Sequence, residues 1–209
     1  MGLSTTPRTW VAGETATAAD MNTEIRDNMN ALNNSGALTL ILPTSVAGTG
    51  VTLTGGKVTY SGASAVSVNG CFSAAFDNYV ILISGNARSA VVDGLMRLRA
   101  AGTDATASVY SDIRDSSAAS ASIVATRTAN ATWIVDCGGQ PLTDTRIELF
   151  SPALAAATHG SYVADSAPTL TVAKGAVYHS AATAFDGFTY FPTSGTIGGT
   201  LRVYGYNNG

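Results

Sequence analysis

Charge is what this chain has least of. Only 12% of its 209 residues are Asp, Glu, Lys or Arg, where about a quarter is usual in a soluble domain. The 11 basic residues against 14 acidic ones leave a net charge of −3. Because the basic residues stand singly, no field gathers that would draw in a phosphate backbone, and no nucleic-acid partner is expected. No apolar run approaches the ~18 residues that cross a bilayer, which argues against membrane insertion by a helix. The opening MGLSTTPRTW has no hydrophobic segment of the secretory kind, so no signal peptide is expected. Cys71 and Cys137 each sit beside strand-like sequence and are expected as buried thiols rather than a bridge. Neither His159 nor His179 has a Cys, His or carboxylate at metal-ligand spacing, so no metal and no cofactor is expected.

Polarity comes instead from Ser, Thr, Asn and Gly, beside much Ala. Such a surface resists charge-driven contacts and tolerates packing against copies of itself. Helical period occurs once. In AADMNTEIRDNMNALNN the apolar residues Met21, Ile25, Met29 and Leu32 fall at spacings of 4, 4 and 3, one stripe on a helix over 18–33. Thr17 is the expected N-cap, with Asp20 completing a weak capping box, and Asn34-Ser35-Gly36 ends the helix. A helix of about four turns with one narrow seam is marginal alone and needs a partner: its own domain, a copy of itself, or another protein. Trp10, just upstream, is placed to dock on the same partner.

Residues 1–36 are therefore read as a leader with an anchoring helix, 37–70 as a linker with the first short strands, and 71–209 as the main β domain. In the second stretch, ALTLILP and GVTLTGGKVTYSG alternate apolar and hydroxyl residues between glycines. From Cys71 onward the strand signals crowd together: FSAAFDNYVILISGN with a run buried on both faces, GLMRLRAAGTDAT, SVYSDIRD, ASIVAT, ATWIVD, DTRIELFSP, TLTVAKG and AVYHSAA. Many short strands between turn residues, without a fixed repeat, predict an all-β fold, a jelly-roll-like antiparallel β-sandwich. The last stretch, DGFTYFPTSGTIGGTLRVYGYNNG, reads as a closing hairpin. It should bury Phe188, Tyr190, Leu201, Val203 and Tyr204, turn at Gly198-Gly199 and send Arg202 to the opposite face.

Catalysis needs convergent acids, bases or nucleophiles, and no such constellation emerges. GTIGGT lacks the lysine and following helix of a phosphate loop, and there is no G-x-S-x-G elbow. Asp104, Asp112, Asp115, Asp136, Asp144 and Glu148 are the acids from which a glycosidase pair would have to be drawn; as turn and edge residues they read as structural, and the chain is not expected to be an enzyme. Arg97 and Arg99 share a strand face in a sequence sparing with arginine. Either they face solvent, or they pair with carboxylates such as Asp144 or Glu148 within a sheet or across a subunit boundary. With Arg202 they are the candidates for an interface or binding surface. Tyr110, Trp133, Tyr162, Tyr178 and Tyr190 are the aromatics available for stacking on a sugar.

TPRTWVAGETATAADMNTEIRDNMNAL, through Pro7, Arg8, Thr9, Trp10, Gly13, Glu14 and the helix with Asn22, Arg26, Asp27, Asn28 and Leu32, resembles the N-terminal segment of minor tail or fibre-like virion proteins of tailed bacteriophages infecting actinobacteria. F-x-x-x-F-D-N-Y at 72–79, M-R-L-R-x-x-G-T-D at 96–104 and the ending G-T-I-G-G-T-L-R-V-Y-G-Y-N-N-G are similar to the β domain of the same proteins. That resemblance covers the two ends more closely than residues 105–182. It implies a structural protein of the virion, made in the host cytoplasm, with other virion structural proteins as partners and Trp10, Met21, Ile25, Met29 and Leu32 attaching it to the particle. A homotrimer follows only by analogy with threefold fibre proteins. A capsid decoration or head-fibre protein, and a receptor-recognition module binding a host cell-surface glycan, remain as alternatives.

Overall fold

The computed structural model describes residues 11–15, 17–22, 38–118, 121–136, 142–168 and 170–207. The chain divides into two compact units, Met1–Thr39 with Asn207–Gly209, and Leu40–Tyr206. In the first, helix α1 spans Ala18–Met21. Thr17 Oγ1 accepts the amide of Asp20 at 3.2 Å, and Asp20 accepts the amide of Thr17 at 3.0 Å. This is the reciprocal capping box the spacing predicts. Asn22 caps its C-terminal end, and residues 23–33 of the expected helix lie outside the described residues, as do Trp10, Ile25, Met29 and Leu32; Met21 is exposed.

The strands are β1 (Leu38–Leu40), β2 (Ser45–Ala47), β3 (Val51–Thr54), β4 (Lys57–Ala63), β5 (Val66–Asn69), β6 (Asn78–Arg88), β7 (Gly94–Ala100) and β8 (Thr103–Asp104). They continue as β9 (Tyr110–Ala118), β10 (Ala121–Asn130), β11 (Trp133–Ile134), β12 (Leu142–Phe150), β13 (Thr158–Ala167), β14 (Thr171–His179), β15 (Gly187–Pro192) and β16 (Ile197–Tyr206). A large antiparallel sheet runs β10-β9-β14-β13-β12-β6-β16-β4-β3, and a smaller one β11-β7-β15-β5-β2, with β8 paired to β7.

Alternation explains why these segments are strands with one wet face. Along β13, Thr158, Gly160, Tyr162, Ala164 and Ser166 are buried while the residues between them are exposed. The two sheets turn their apolar faces to one core. Val58, Tyr60, Ile81, Ile83, Ile147, Leu149, Tyr162, Leu201 and Val203 of the large sheet join Val66, Val68, Met96, Leu98, Trp133, Phe188 and Tyr190 of the small one. The fold is β-sandwich-like. Residues 37–70, read as a linker with the first short strands, supply β2 to β5 to both sheets, and Val58, Tyr60, Val66 and Val68 are core residues.

The closing hairpin does not form. β15 lies in the small sheet between β7 and β5, and β16 in the large sheet between β6 and β4. Phe188 and Tyr190 reach the core from one side, Leu201 and Val203 from the other, and all four are buried. Crossing the sandwich gives both segments two paired neighbours, which a terminal hairpin denies its outer strand. Residues 193–196 make the crossing, with Gly195 at φ +76°, where L side chains are strained. Gly198 and Gly199 sit inside β16, at the slip in its register with β6. Tyr204 is half-buried on the outer face beside Arg202.

Candidate interaction face

The two surfaces of the sandwich differ. On the small sheet, polar side chains tie to one another. Arg99 forms an ion pair with Asp104 and donates to Asn69 Oδ1 at 3.0 Å and Thr189 Oγ1 at 2.8 Å. Arg97 donates Nε–H to the carbonyl of Ala131 at 3.1 Å and lies 4.9 Å from the Phe191 ring centroid. Both arginines are half-buried, and Asp104, not Asp144 or Glu148, is the carboxylate that Arg99 meets.

Between the sheets lies a buried polar knot. Arg88 pairs with Asp136, both side chains fully out of water. Asp136 also accepts the Gly94 amide at 2.9 Å and the Tyr190 hydroxyl at 3.1 Å. Asn86 donates to Tyr190 at 2.7 Å and to Thr143 at 3.1 Å, and accepts from Tyr60 at 3.3 Å. Burial pushes the Tyr190 phenol well above its usual range. Burial works against the charge of Arg88, but Asp136 and Tyr190 more than offset it. The knot joins β4, β6 and β12 to β7 and β15, and it is closed to solvent.

A second buried group is His179. Its ring lies edge-on to Tyr110, with centroids 4.5 Å apart, and to Phe185 at 4.9 Å. Burial lowers its pKa, opposed by a smaller influence from the Ala181 backbone. Cys71 is a buried free thiol whose pKa burial raises well above normal; Cys137 lies outside the described residues. Among the described residues, no three His, Cys, Asp or Glu side chains gather as a metal site, and no helix is long and apolar enough to cross a membrane.

The acids that a hydrolase would have needed are each engaged. Asp112 holds Arg127 at 2.7 Å, Asp115 faces Lys174 at 3.6 Å, and Asp144 accepts the Gly85 amide. Glu148 pairs with Arg146 and accepts the Tyr206 hydroxyl at 2.7 Å. That hydrogen bond is the main influence raising the Tyr206 pKa. Of the aromatics, Tyr110, Trp133, Tyr162 and Tyr190 are buried in the core, and Tyr178 is exposed.

Tyr178 belongs to the face that stands out, the outer side of the large sheet. Ile113, Val163, Val172 and Tyr178 there are 43%, 54%, 43% and 46% exposed. Strand register sets them in rows. One runs Asp115, Lys174, Val163, Arg146, Leu82, Arg202; the next runs Ile113, Ala176, Ser161, Glu148, Val80, Tyr204. Small side chains between large ones leave hollows, one of ≈ 380 Å³ bounded by Ile113, Val163, Ser161, Gly175 and Ala176. Of the sequence candidates, Arg202 lies on this face, and Arg97 and Arg99 lie on the other sheet.

Sequence reading missed Ile113, Val163 and Val172. THGSYVADSA carries a period-2 signal, but its outward residues mix Val with His and Asp, so it does not stand out by hydrophobicity. Residues 171–175 of TLTVAKG and 176–179 of AVYHSAA form one strand, β14, through Gly175. A Cβ at Gly175 would stand 2.5 Å from the Tyr162 ring, so that glycine makes room for an aromatic and does not break the strand.

No protein-family model matches the chain, and no curated protein does. Among solved structures, a protein of unknown function from Shewanella oneidensis MR-1 aligns over 85% of this chain and 82% of its own, at 7% identity and a TM-score of 0.23.

Proposed function

We propose that this chain is a structural protein of a phage particle, a minor tail or fibre-like component. Its N-terminal segment attaches to the virion, and its jelly-roll-like β unit packs against copies of itself and other virion proteins. The observation that carries this reading is the outer face of the large sheet. It is broad, set on rigid strands, and combines exposed Ile113, Val163, Val172 and Tyr178 with oppositely charged side chains. A surface of that make-up suits a protein contact better than a small substrate. The resemblance of the N-terminal stretch and of the two ends of the β unit to virion proteins supports the location, and the capping box at Thr17 begins the helix from which attachment is inferred.

A glycan-binding module is the second reading. Tyr178, exposed beside Asp112 and Arg127 in a hollow of ≈ 320 Å³, favours it. The burial of the other four aromatics leaves little else to stack on a sugar. Mass spectrometry of purified particles tests the main proposal. The chain should be recovered in fixed stoichiometry with the tail proteins, and Ile25→Asp should abolish its incorporation while the β unit still folds. Absence of the wild-type chain from particles contradicts the proposal.

A further inference from the structure

We infer that the outer face of the large sheet binds the same face of a second copy of this chain, about a two-fold axis that lies in the plane of the face and crosses the strands. Self-complementarity of the face points to this partner. Arg114, Gly175, Tyr162, Ile147, Ile81 and Val203 are mutually aligned by register and mark a line across six strands. A two-fold axis above that line lays each strand over the same strand of the other copy, running the opposite way. A residue a given number of positions before the line then meets the residue the same number after it.

Most of those residues match; the exceptions are Asp115 against Ile113, Lys174 against Ala176 and Asp144 against Phe150. On β12, Arg146 and Glu148 flank Ile147, so each arginine meets the other copy's glutamate, and the pair already formed within one copy becomes a four-membered alternating cluster. On β13, Asp165 and His159 stand three positions either side of Tyr162 and meet as acid and imidazole. Val163 and Ser161 flank the same residue, so the most exposed valine on the face enters the hollow beside a serine. On β14, Val172 and Tyr178 stand three positions either side of Gly175, and the two exposed apolar groups cover each other. On β16, Arg202 lies over Tyr204, a cation against a ring.

One feature of the isolated face is unfavourable without a partner. Asp144 and Asp165 are directly opposite on β12 and β13, both exposed, and like charges so placed are destabilising. The two-fold contact sets His159 of the second copy against Asp165. The size also fits. Four strands and four rows cover roughly 20 by 27 Å at ~4.8 Å between strands and ~6.8 Å between same-face residues. Leu82 and Arg202 add ground on β6 and β16, where Val80 is already covered by its own chain, so each copy's share lies between about 540 Å² and the ~800 Å² typical of one side of a stable complex.

The inference deepens the structural-protein reading and rests on it in taking another copy as partner. It replaces the trimer expected by analogy with a pair, since only a two-fold contact is isologous. Sedimentation equilibrium of the full chain tests it. The wild type should sediment at about twice 21.2 kDa. Arg146→Glu, and separately Glu148→Arg, should weaken dimerisation at least about tenfold by setting like charges against each other. The double variant Arg146→Glu with Glu148→Arg should restore it to within about threefold, because the swapped pair still alternates. Unchanged circular dichroism shows that the variants fold, and Val163→Glu should weaken the dimer at a second position, away from the Arg146–Glu148 pair. A monomeric or trimeric wild type, or single reversals that leave the dimer intact, overturns the inference. A dimer absent from particles contradicts the virion reading and leaves this one standing; a monomer present in particles, its face covered by a different chain, does the reverse.

Discussion

Arg88 on β6 and Asp136 beyond β11 form an ion pair with both side chains at 0% exposure. Taking two charges out of water is costly, and the pair holds because Asp136 also accepts from Gly94 and Tyr190, while Arg88 donates to Thr143 at 2.9 Å. Removing one partner strands the other. Asp136→Ala should destabilise the chain by about 3–5 kcal/mol. Replacing both, Arg88→Met with Asp136→Leu, should recover part of that loss, because the Gly94 amide and Tyr190 hydroxyl stay without their acceptor. Urea midpoints at unchanged slope measure both.

Gly94 lies against this knot. A Cβ there would stand 1.8 Å from Asp136 Oδ2 and 2.6 Å from the Tyr190 hydroxyl. Gly94→Ala should therefore cost at least about 2 kcal/mol through overpacking and displaced hydrogen bonds. Gly85→Ala makes the contrast: an added Cβ there meets nothing within 4 Å, so its cost comes from the backbone at φ +61° alone. Thermal melts of the two variants separate packing from backbone strain, and disruption of the knot should appear only in the first, as altered near-ultraviolet signal from Tyr190.

His179 gives the chain a pH dependence of definite sign. Its folded pKa is lowered below the usual 6.5 by burial. As pH falls through 6.5 the unfolded chain takes up this proton first, so the stabilisation is complete above that value and is lost toward the folded pKa. His179→Phe keeps the edge contacts with Tyr110 and Phe185 and should flatten the fall in stability below about pH 7. An unchanged slope in the variant contradicts the assignment.

β16 pairs on both sides, to β6 and to β4, and it buries Leu201 and Val203. Deleting residues 200–209 leaves two strand edges unpaired and opens the core, and the product should not fold. Hydrogen exchange on the intact chain should find the amides of Leu201 to Val203 among the slowest. Exchange within seconds there contradicts the central placement of this strand.

The inward side of a strand was legible in the sequence; its neighbour was not. Met96 and Leu98 against Arg97 and Arg99 read correctly as alternation, as did the capping box at Thr17 and Asp20, while the run at 79–83, expected buried on both faces, leaves Leu82 half-buried on the outer one. Phe188 and Leu201 are core residues as expected, yet they come from different sheets. Periodicity reports which side of a strand is dry, and the same pattern serves a hairpin or a crossing between sheets. The proposed interaction face was harder still to see. Its residues come from strands far apart in sequence, and each strand alone offers one or two apolar groups among charges. Arg146 and Glu148 look like an ordinary surface pair until register sets them beside Val163 and Ser161.

A reconstruction of the particle that carries this chain tests the whole account most directly. It should show copies in face-to-face pairs, with Arg146 of one within ~4 Å of Glu148 of the other and Val172 against Tyr178. A map in which the outer face of the large sheet lies open to solvent, or in which the chain has no place, contradicts the account.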